Sequence, residues 1–263
     1  MESILENQNR KIEDLKVSRV EDKEYEKLLL AELKAGREEQ KDWHRNEEES
    51  RCYESLRTTD YEFNKNKNPD RIPGTCKWFL RHPRYQTWQA EEASSWLWVT
   101  ADPGCGKSVL SKFLIDDYKS TRSADIICYF FFKDDSVETK SATHALCGLL
   151  HQVFSQNNAL LKHAMPEFRR NRDKLSQLFD TLWNIFIAAA ADVNAGNIIC
   201  VLDALDECTE STRLPLIRKL AGFYSNQKTP ARLKFIITSR PNTPIGDAFW
   251  KLWARSCVCP ADG

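Results

Sequence analysis

The residues best suited to chemistry lie in the segment ADPGCGKS, at positions 101–108, directly after the apolar stretch SWLWVT. Backbone N–H groups in a glycine-rich turn that leads into a helix form a binding site for phosphate oxygens. Gly104 and Gly106 permit backbone angles and a close approach that a β-carbon would block. Lys107 would bring its charge near the β- and γ-phosphates, and Ser108 would place its hydroxyl on Mg²⁺. The sequence therefore predicts a nucleotide-binding loop made of Ala101, Asp102, Pro103, Gly104, Cys105, Gly106, Lys107, Ser108 and Val109.

Ala101 occupies the first position of this pattern, where glycine is usual. Because alanine disfavours a positive φ, the substitution predicts that the first residue of the loop has an ordinary negative φ. The structural alternative is a glycine-rich turn between a strand and a helix that binds no ligand. The apolar strand before the loop and the amphipathic pattern after it favour the nucleotide site.

A second candidate group follows another apolar run, in the segment IICVLDALDEC at 198–208. A buried strand that ends in Asp203 would deliver a carboxylate to the edge of the sheet where the phosphate loop also lies. Asp203 is the predicted Mg²⁺ ligand, directly or through a water. Either Asp206 or Glu207 could orient or deprotonate an attacking water. The alternative for this acidic pair is a solvated loop that precedes a helix near Ser211.

The segment FIITSRP at 235–241 gives a third group of polar residues at a strand end. Thr238, Ser239 and Arg240 would lie at the same edge of the sheet and could contact the γ-phosphate. Arg240 is therefore the third candidate catalytic residue. The alternative is a strand end whose arginine simply extends into solvent.

The elements that must position these groups follow an alternating pattern of strands and helices. The predicted strands are apolar throughout, as are strands buried on both faces of a parallel sheet. With amphipathic helices between them, they indicate a three-layer α/β domain. The pattern predicts strands at 96–100, 126–132, 197–203 and 234–239, and helices at 108–118, 144–154, 175–191 and 211–224.

The two ends of the chain differ from this central region. Residues 1–70 are rich in charge and carry apolar residues at roughly helical spacing, which predicts a charged helical arm and a linker. A self-association helix is the alternative for the arm, although the heptad pattern is weak because its register breaks after Leu15. Residues 71–250 form the predicted catalytic core, and residues 251–263 are predicted to be an irregular tail.

Composition restricts the class of protein and its partners. The chain of 263 residues has 38 basic and 38 acidic residues, and this balance gives no argument for a nucleic-acid partner. No apolar run is long enough to span a membrane. Nine cysteines without metal-binding spacing or a secretory leader indicate a reducing compartment. The predicted location is the cytoplasm.

Three segments together resemble the NACHT family of signal-transducing NTPases, in the fungal form related to the nephrocystin-like NTPase segment. They are WLWVTADPGCGKSVLSKFL, ICVLDALDEC and FIITSRPN, and IPGTCKWFLRHPRYQTW at 72–88 resembles the stretch that precedes the phosphate loop in that family. The resemblance covers about residues 50–250. The small Ala204 after the magnesium aspartate, followed by Asp206 and Glu207, is typical of the family.

The resemblance implies a P-loop NTPase fold of the ASCE/STAND type, with a mainly parallel central sheet. In such a fold the FIITS strand lies between the phosphate-loop strand and the ICVLD strand. The resemblance also implies binding of ATP or GTP with Mg²⁺, slow hydrolysis, and use as a switch. In fungal members the switch drives self-association in non-self recognition or incompatibility. Gly74, Thr75 and Trp78 would then lie near the base of the nucleotide.

This sequence also departs from the family. Family members continue into helical, winged-helix and repeat modules, whereas this chain stops at Gly263, which predicts a truncated gene product. The alternatives to the switch are a catalytically inactive nucleotide-binding scaffold and, less favoured, a small-molecule kinase. A kinase needs arginines in a lid, for which FRRNRDK at 168–174 is the candidate; a solvated basic loop explains the same stretch.

Overall fold

The computed structural model describes residues 46–225 and 231–241, together with the backbone of residues 258–260. The chain divides into two compact units, residues 1–50 and residues 51–263. Most of the predicted arm lies outside the described residues. The boundaries that the sequence places at residues 70 and 250 stay predictions.

A parallel sheet forms the centre of the second unit. Its strands are β1 (Ser95–Thr100), β2 (Ile126–Phe131), β3 (Asn197–Asp203), β4 (Arg232–Ser239) and β5 (Val258–Pro260). They are arranged in the order β2-β3-β4-β1-β5, and each neighbouring pair is parallel. The strand that contains FIITS therefore lies between the phosphate-loop strand and the ICVLD strand, as the resemblance implies. The short β5 lies within the stretch that the sequence predicts to be an irregular tail.

Alternate side chains of each strand enter two separate hydrophobic cores. In β2, Ile127, Tyr129 and Phe131 point to one face of the sheet, while Cys128 and Phe130 point to the other. This two-residue period follows from the pleat of a strand. Because both faces are buried, every position of β2 is apolar, and the three-layer α/β prediction is confirmed.

Helices cover both faces of the sheet. On the first face lie α3 (Lys77–Arg81), α4 (Pro83–Ala90) and α5 (Lys107–Thr121), which contribute Phe79, Trp88 and Leu114 to that core. On the second face lie α6 (Ala142–Gln156), α7 (Met165–Asn171), α8 (Phe179–Ala190) and α9 (Glu210–Ser225). The helix α5 is the next element after β1, and it contacts β2, β3 and β4. Its first turn is therefore fixed at the carboxyl edge of the sheet.

The structure corrects two of the predicted elements. The predicted helix at 175–191 begins later, because a 3₁₀ helix at Arg172–Gln177 ends at Leu178 and α8 starts at Phe179. The basic stretch 168–174 is helical rather than a loop, and Phe168 at its start is buried in the core. A 3₁₀ helix at Asn158–His163 precedes it.

Residues 51–66 contribute to the second unit. Residues 46–55 form the helix α1, and Tyr61–Asn66 form α2, which Asp60 caps through its side chain. Cys52 and Leu56 are fully buried in the core on the α6 side. Tyr61 donates to, or accepts from, His151 Nδ1 of α6 at 3.0 Å. Within residues 46–225 and 231–241, no helix has the length and apolar character needed to cross a membrane.

Candidate functional site

Residues 101–106 form the turn between β1 and α5, and residues 102–106 of this turn are exposed. Gly104 and Gly106 have φ values of +83° and +79°, which favour glycine over any L side chain. A β-carbon built on either glycine meets no protein atom within 4 Å, so it would enter the open space in front of the turn. Gly106 directly precedes the first residue of α5, a helix of 15 residues. The turn is therefore a backbone cradle at a helix N-terminus that a side chain at these positions would fill.

Ala101 and Lys107 close the base of this cradle. Ala101 is buried and does not have a positive φ, as the sequence predicts. The Lys107 ammonium donates to the carbonyl oxygens of Ala101 at 2.6 Å and Asp102 at 3.0 Å. Asp102, Pro103 and Cys105 are exposed in the turn, while Ser108 and Val109 are half-buried in the first turn of α5.

Asp203 lies at the end of β3 and faces the phosphate loop. Ser108 Oγ donates to Asp203 Oδ2 at 2.6 Å, which joins the loop directly to the carboxylate. Oδ1 accepts from Ser111 Oγ at 2.7 Å and from Thr238 Oγ1 at 2.7 Å. Burial raises the pKa of Asp203, while the three hydroxyls and the Lys107 charge oppose that rise.

These residues fit a magnesium nucleotide. Carboxylate and hydroxyl oxygens are hard ligands of the kind that Mg²⁺ prefers, and Mg²⁺ is usually bound by one or two protein groups together with phosphates. Within the described ranges, no three histidine, cysteine or carboxylate residues group into a metal site formed by protein alone. Ser108 and Asp203 would hold the ion, and the amides of the cradle would hold the phosphates.

The backbone conformation of the residue after Asp203 explains why that residue is small. Ala204 adopts the left-handed conformation, with φ 55° and ψ 50°, and its N–H donates to Thr238 Oγ1 at 2.9 Å. The Thr238 hydroxyl thus connects the ends of β3 and β4, since it also donates to Asp203. A β-branched side chain in this conformation would be strained.

Asp206 and Arg240 are brought together by a 3₁₀ helix at Leu205–Glu207. Arg240 donates its backbone N–H to Asp206 Oδ1 at 3.0 Å, and its Nε lies 3.2 Å from Asp206 Oδ2. Glu207 Oε1 is 3.9 Å from Arg240 Nη2. The Arg213 guanidinium donates to the carbonyl oxygens of Asp206 and Cys208, so it supports this turn from α9.

Glu207 has a different environment from its neighbour Asp206. Burial raises the pKa of the Glu207 carboxyl above its ordinary value, and the Asp206 and Asp134 carboxylates add to that rise. The backbone of Asp134 and the charge of Arg240 act in the opposite direction. A carboxyl whose pKa is raised in this way is suited to general base chemistry.

The sequence did not identify Ser111 and Arg213 as residues of this site. Ser111 follows Ser108 by three positions, and side chains with that spacing lie on one face of a helix. That spacing could therefore have identified Ser111 from the sequence. Arg213 gave no comparable signal, because its role depends on how α9 packs below the 3₁₀ turn. Ser239, predicted at the nucleotide edge, is fully buried and accepts from Trp98 Nε1 at 2.9 Å.

The segment before β1 carries the residues predicted to lie near the base. Gly74 and Cys76 have positive φ values, and Trp78 is 44% exposed. Nearby, the Arg71 guanidinium lies 4.1 Å from the centre of the Phe113 ring on α5. The contact of Gly74, Thr75 and Trp78 with a base stays a prediction.

Part of the sequence is similar to that of a known fungal protein. The chain is 29% identical over 196 residues to the vegetative incompatibility protein HET-E-1 of Podospora anserina, an alignment that covers 72% of this chain and 14% of that protein. The chain thus matches about one seventh of the length of this relative.

Solved structures give more distant matches. The Cdc6p protein of Pyrobaculum aerophilum has a TM-score of 0.49 and 15% identity, over 73% of this chain and 46% of that one. The Drosophila ORC bound to poly(dA/dT) DNA and Cdc6 has a TM-score of 0.42 and 12% identity, over 81% of this chain and 32% of that one.

A family profile matches one continuous stretch of the sequence. The profile of the family Nephrocystin 3, N-terminal, matches residues 74–240, which is more than half of the chain and contains all three polar strand ends. The chain therefore belongs to the Nephrocystin 3, N-terminal family and contains a NACHT-like NTPase segment with a P-loop fold.

Proposed function

We propose that this protein binds ATP or GTP with Mg²⁺, hydrolyses it slowly, and acts as a nucleotide-controlled signalling switch. The observation that carries the proposal is the contact of 2.6 Å between Ser108 Oγ and Asp203 Oδ2. It brings a hydroxyl of the phosphate loop and a buried carboxylate to one point at the edge of the sheet, as a shared metal ion requires. In this proposal, residues 71–250 provide the NTPase core.

The proposed roles divide the candidate residues into four groups: phosphate ligands, metal ligands, a base and a sensor. The amides and side chains of Ala101 to Val109 hold the phosphates, and Lys107 neutralises their charge. Ser108 and Asp203 hold Mg²⁺, which would supply charge neutralisation at the phosphates when bound. Glu207 acts as the base that orients or deprotonates water, because Asp206 already binds Arg240 through both carboxylate oxygens.

Arg240 is the proposed sensor of the γ-phosphate. Its side chain is 54% exposed, while the side chain of Asp206 that holds it is 8% exposed. An anionic γ-phosphate at the loop would compete with Asp206 for this guanidinium. Such a competition would shift the 3₁₀ turn between two arrangements. A signalling switch can transmit a local change in ion pairing of this kind.

The biological role is proposed by analogy with the incompatibility protein HET-E-1. We propose that the nucleotide controls self-association, or contact with other signalling proteins, in a fungal recognition pathway. The cysteines of the described part of the chain are thiols rather than disulfides, which supports a reducing, cytoplasmic location.

The test is a titration of fluorescent ATP and GTP analogues with Mg²⁺. Lys107→Ala should abolish binding, because the variant loses the charge-assisted contact with the phosphates. Lys119→Ala is the matched control, since Lys119 is an exposed lysine of the same helix. Binding to Lys107→Ala at the parental affinity would contradict the proposed site. Binding without any phosphate release would favour the alternative of a nucleotide-binding scaffold.

A further inference from the structure

The carboxylate of Asp203 accepts hydrogen bonds at Oδ1 from two hydroxyls on different elements. Ser111 Oγ of α5 and Thr238 Oγ1 of β4 both donate to Oδ1 at 2.7 Å. Ser111, Thr238 and Asp203 are at most 2% exposed. Water is therefore excluded from Oδ1, and its hydrogen bonds come from protein groups whose positions the sheet and the helix fix.

Two serines of α5 contact opposite oxygens of this carboxylate. Ser108 contacts Oδ2, which faces the phosphate loop, and Ser111 contacts Oδ1, one helical turn further on. The spacing of three residues places both hydroxyls on the same face of α5. The helix that begins at the phosphate loop thus sets the rotation of the carboxylate as well as the position of Ser108.

We propose that Ser111 is a positioning residue for Mg²⁺, which fixes Oδ1 of Asp203 so that Oδ2 stays directed at Ser108. This inference rests on the proposed function. A carboxylate that binds a metal through one oxygen keeps its orientation only if other groups hold the second oxygen, and such partners are energetically important at metal sites. Ser111 would act through Asp203 and would contact neither the metal nor the nucleotide.

Ser111 is a cleaner probe of this effect than Thr238. Thr238 also accepts the N–H of Ala204, so its loss would leave a backbone donor without that partner and disturb the turn after β3. Ser111→Ala removes one hydroxyl from a helix interior where alanine is the most favourable residue. Ser111→Cys keeps a side chain of similar shape with a much weaker donor. Ser111→Thr keeps the hydroxyl.

The experiment measures how the affinity for a fluorescent ATP analogue depends on the Mg²⁺ concentration. Ser111→Ala and Ser111→Cys should need about 10- to 100-fold more Mg²⁺ to reach half of the magnesium-dependent gain in affinity. Their affinity in EDTA should equal that of the parent, because the phosphate cradle is unchanged. Ser111→Thr should restore the parental Mg²⁺ response. Ser120→Ala, on the exposed side of α5, is the control and should behave as the parent.

The outcomes separate this inference from the function on which it rests. Parental Mg²⁺ dependence in both Ser111→Ala and Ser111→Cys would overturn the positioning role. An equal loss of affinity in EDTA and in Mg²⁺ would also overturn it, because the defect would then lie in folding or in the cradle. A parent protein that binds the nucleotide equally well with and without Mg²⁺ would instead contradict the proposed magnesium site itself.

Discussion

At the scale of single residues, Asp206 and Glu207 are adjacent in sequence but bind different partners. Asp206 uses both carboxylate oxygens on Arg240, so a water would have to displace an ion pair to reach it. Glu207 lies 3.9 Å from the same guanidinium, and burial raises its pKa. The geometry thus favours Glu207 as the base, a choice between the two residues that their types alone leave open.

The first prediction concerns hydrolysis by variants of this pair. Glu207→Gln should release phosphate far more slowly than the parent, by roughly 100-fold or more, while it keeps nucleotide affinity. Because a base works in its deprotonated form, parental hydrolysis should fall as the pH is lowered through the raised pKa of Glu207. Single-turnover phosphate release across a pH series measures both effects.

Asp206→Asn provides the comparison for this prediction. The amide keeps the shape of the side chain but removes a charge that raises the pKa of Glu207. The variant should therefore retain the pH-dependent step, with its midpoint at a lower pH than in the parent. The assignment of the base is wrong if Glu207→Gln hydrolyses at the parental rate, or if only Asp206→Asn loses the pH-dependent step.

The second prediction concerns the left-handed residue Ala204. Ala204→Val should lower the free energy of unfolding by about 1 to 3 kcal/mol, because a β-branched residue is strained at this φ and ψ. Ala204→Gly relieves the strain at the cost of a more flexible unfolded chain, so its stability should lie close to that of the parent. Urea unfolding measures both, and a valine variant as stable as the glycine variant would contradict the geometry of this turn.

Residue types predicted part of the site, and packing determined the rest. The phosphate loop and the strand end at Asp203 could be predicted because glycine, lysine and carboxylate have few alternative uses in such positions. The burial of Ser239 against Trp98 could not, since its side chain lies on the opposite face from Thr238 and the choice of face depends on register. Sequence order alone does not distinguish these two hydroxyls.

At the scale of elements, the strands were easier to predict than the short helices. A strand buried on both faces is apolar at every position, so β2 and β3 are visible as continuous runs. Helices of five to eight residues, such as α3 and α4, are too short to show a helical period. The predicted helix at 175–191 began too early because its apolar pattern continues through the 3₁₀ segment.

The third prediction concerns the segment before the family match. Leu56→Ala should lower the free energy of unfolding by about 2 to 5 kcal/mol, because Leu56 is fully buried in the core. Leu178→Ala is the matched control, since Leu178 is 37% exposed and should change stability much less. Chemical denaturation of the full chain compares the two. If Leu56→Ala lowers the free energy of unfolding no more than the small loss expected for Leu178→Ala, residues 51–66 do not stabilise the core.

At the scale of the whole molecule, three strand ends converge at one edge of the sheet. β4 lies between β1 and β3, so Thr238 and Arg240 come between the phosphate loop and the acidic turn. This order brings the proposed nucleotide cradle, metal ligand, base and sensor together without any long loop. Strand order is a long-range property, and only the resemblance to the NACHT family, not the pattern of residues, implied it.

The most direct measurement is a crystal structure of the protein with Mg²⁺ and a non-hydrolysable ATP or GTP analogue. The proposed function predicts phosphates against the backbone amides of 104–108, and a magnesium ion held between Ser108 and Asp203. A nucleotide bound elsewhere on the molecule, or a magnesium ion that neither Ser108 nor Asp203 contacts directly or through one water, would contradict it.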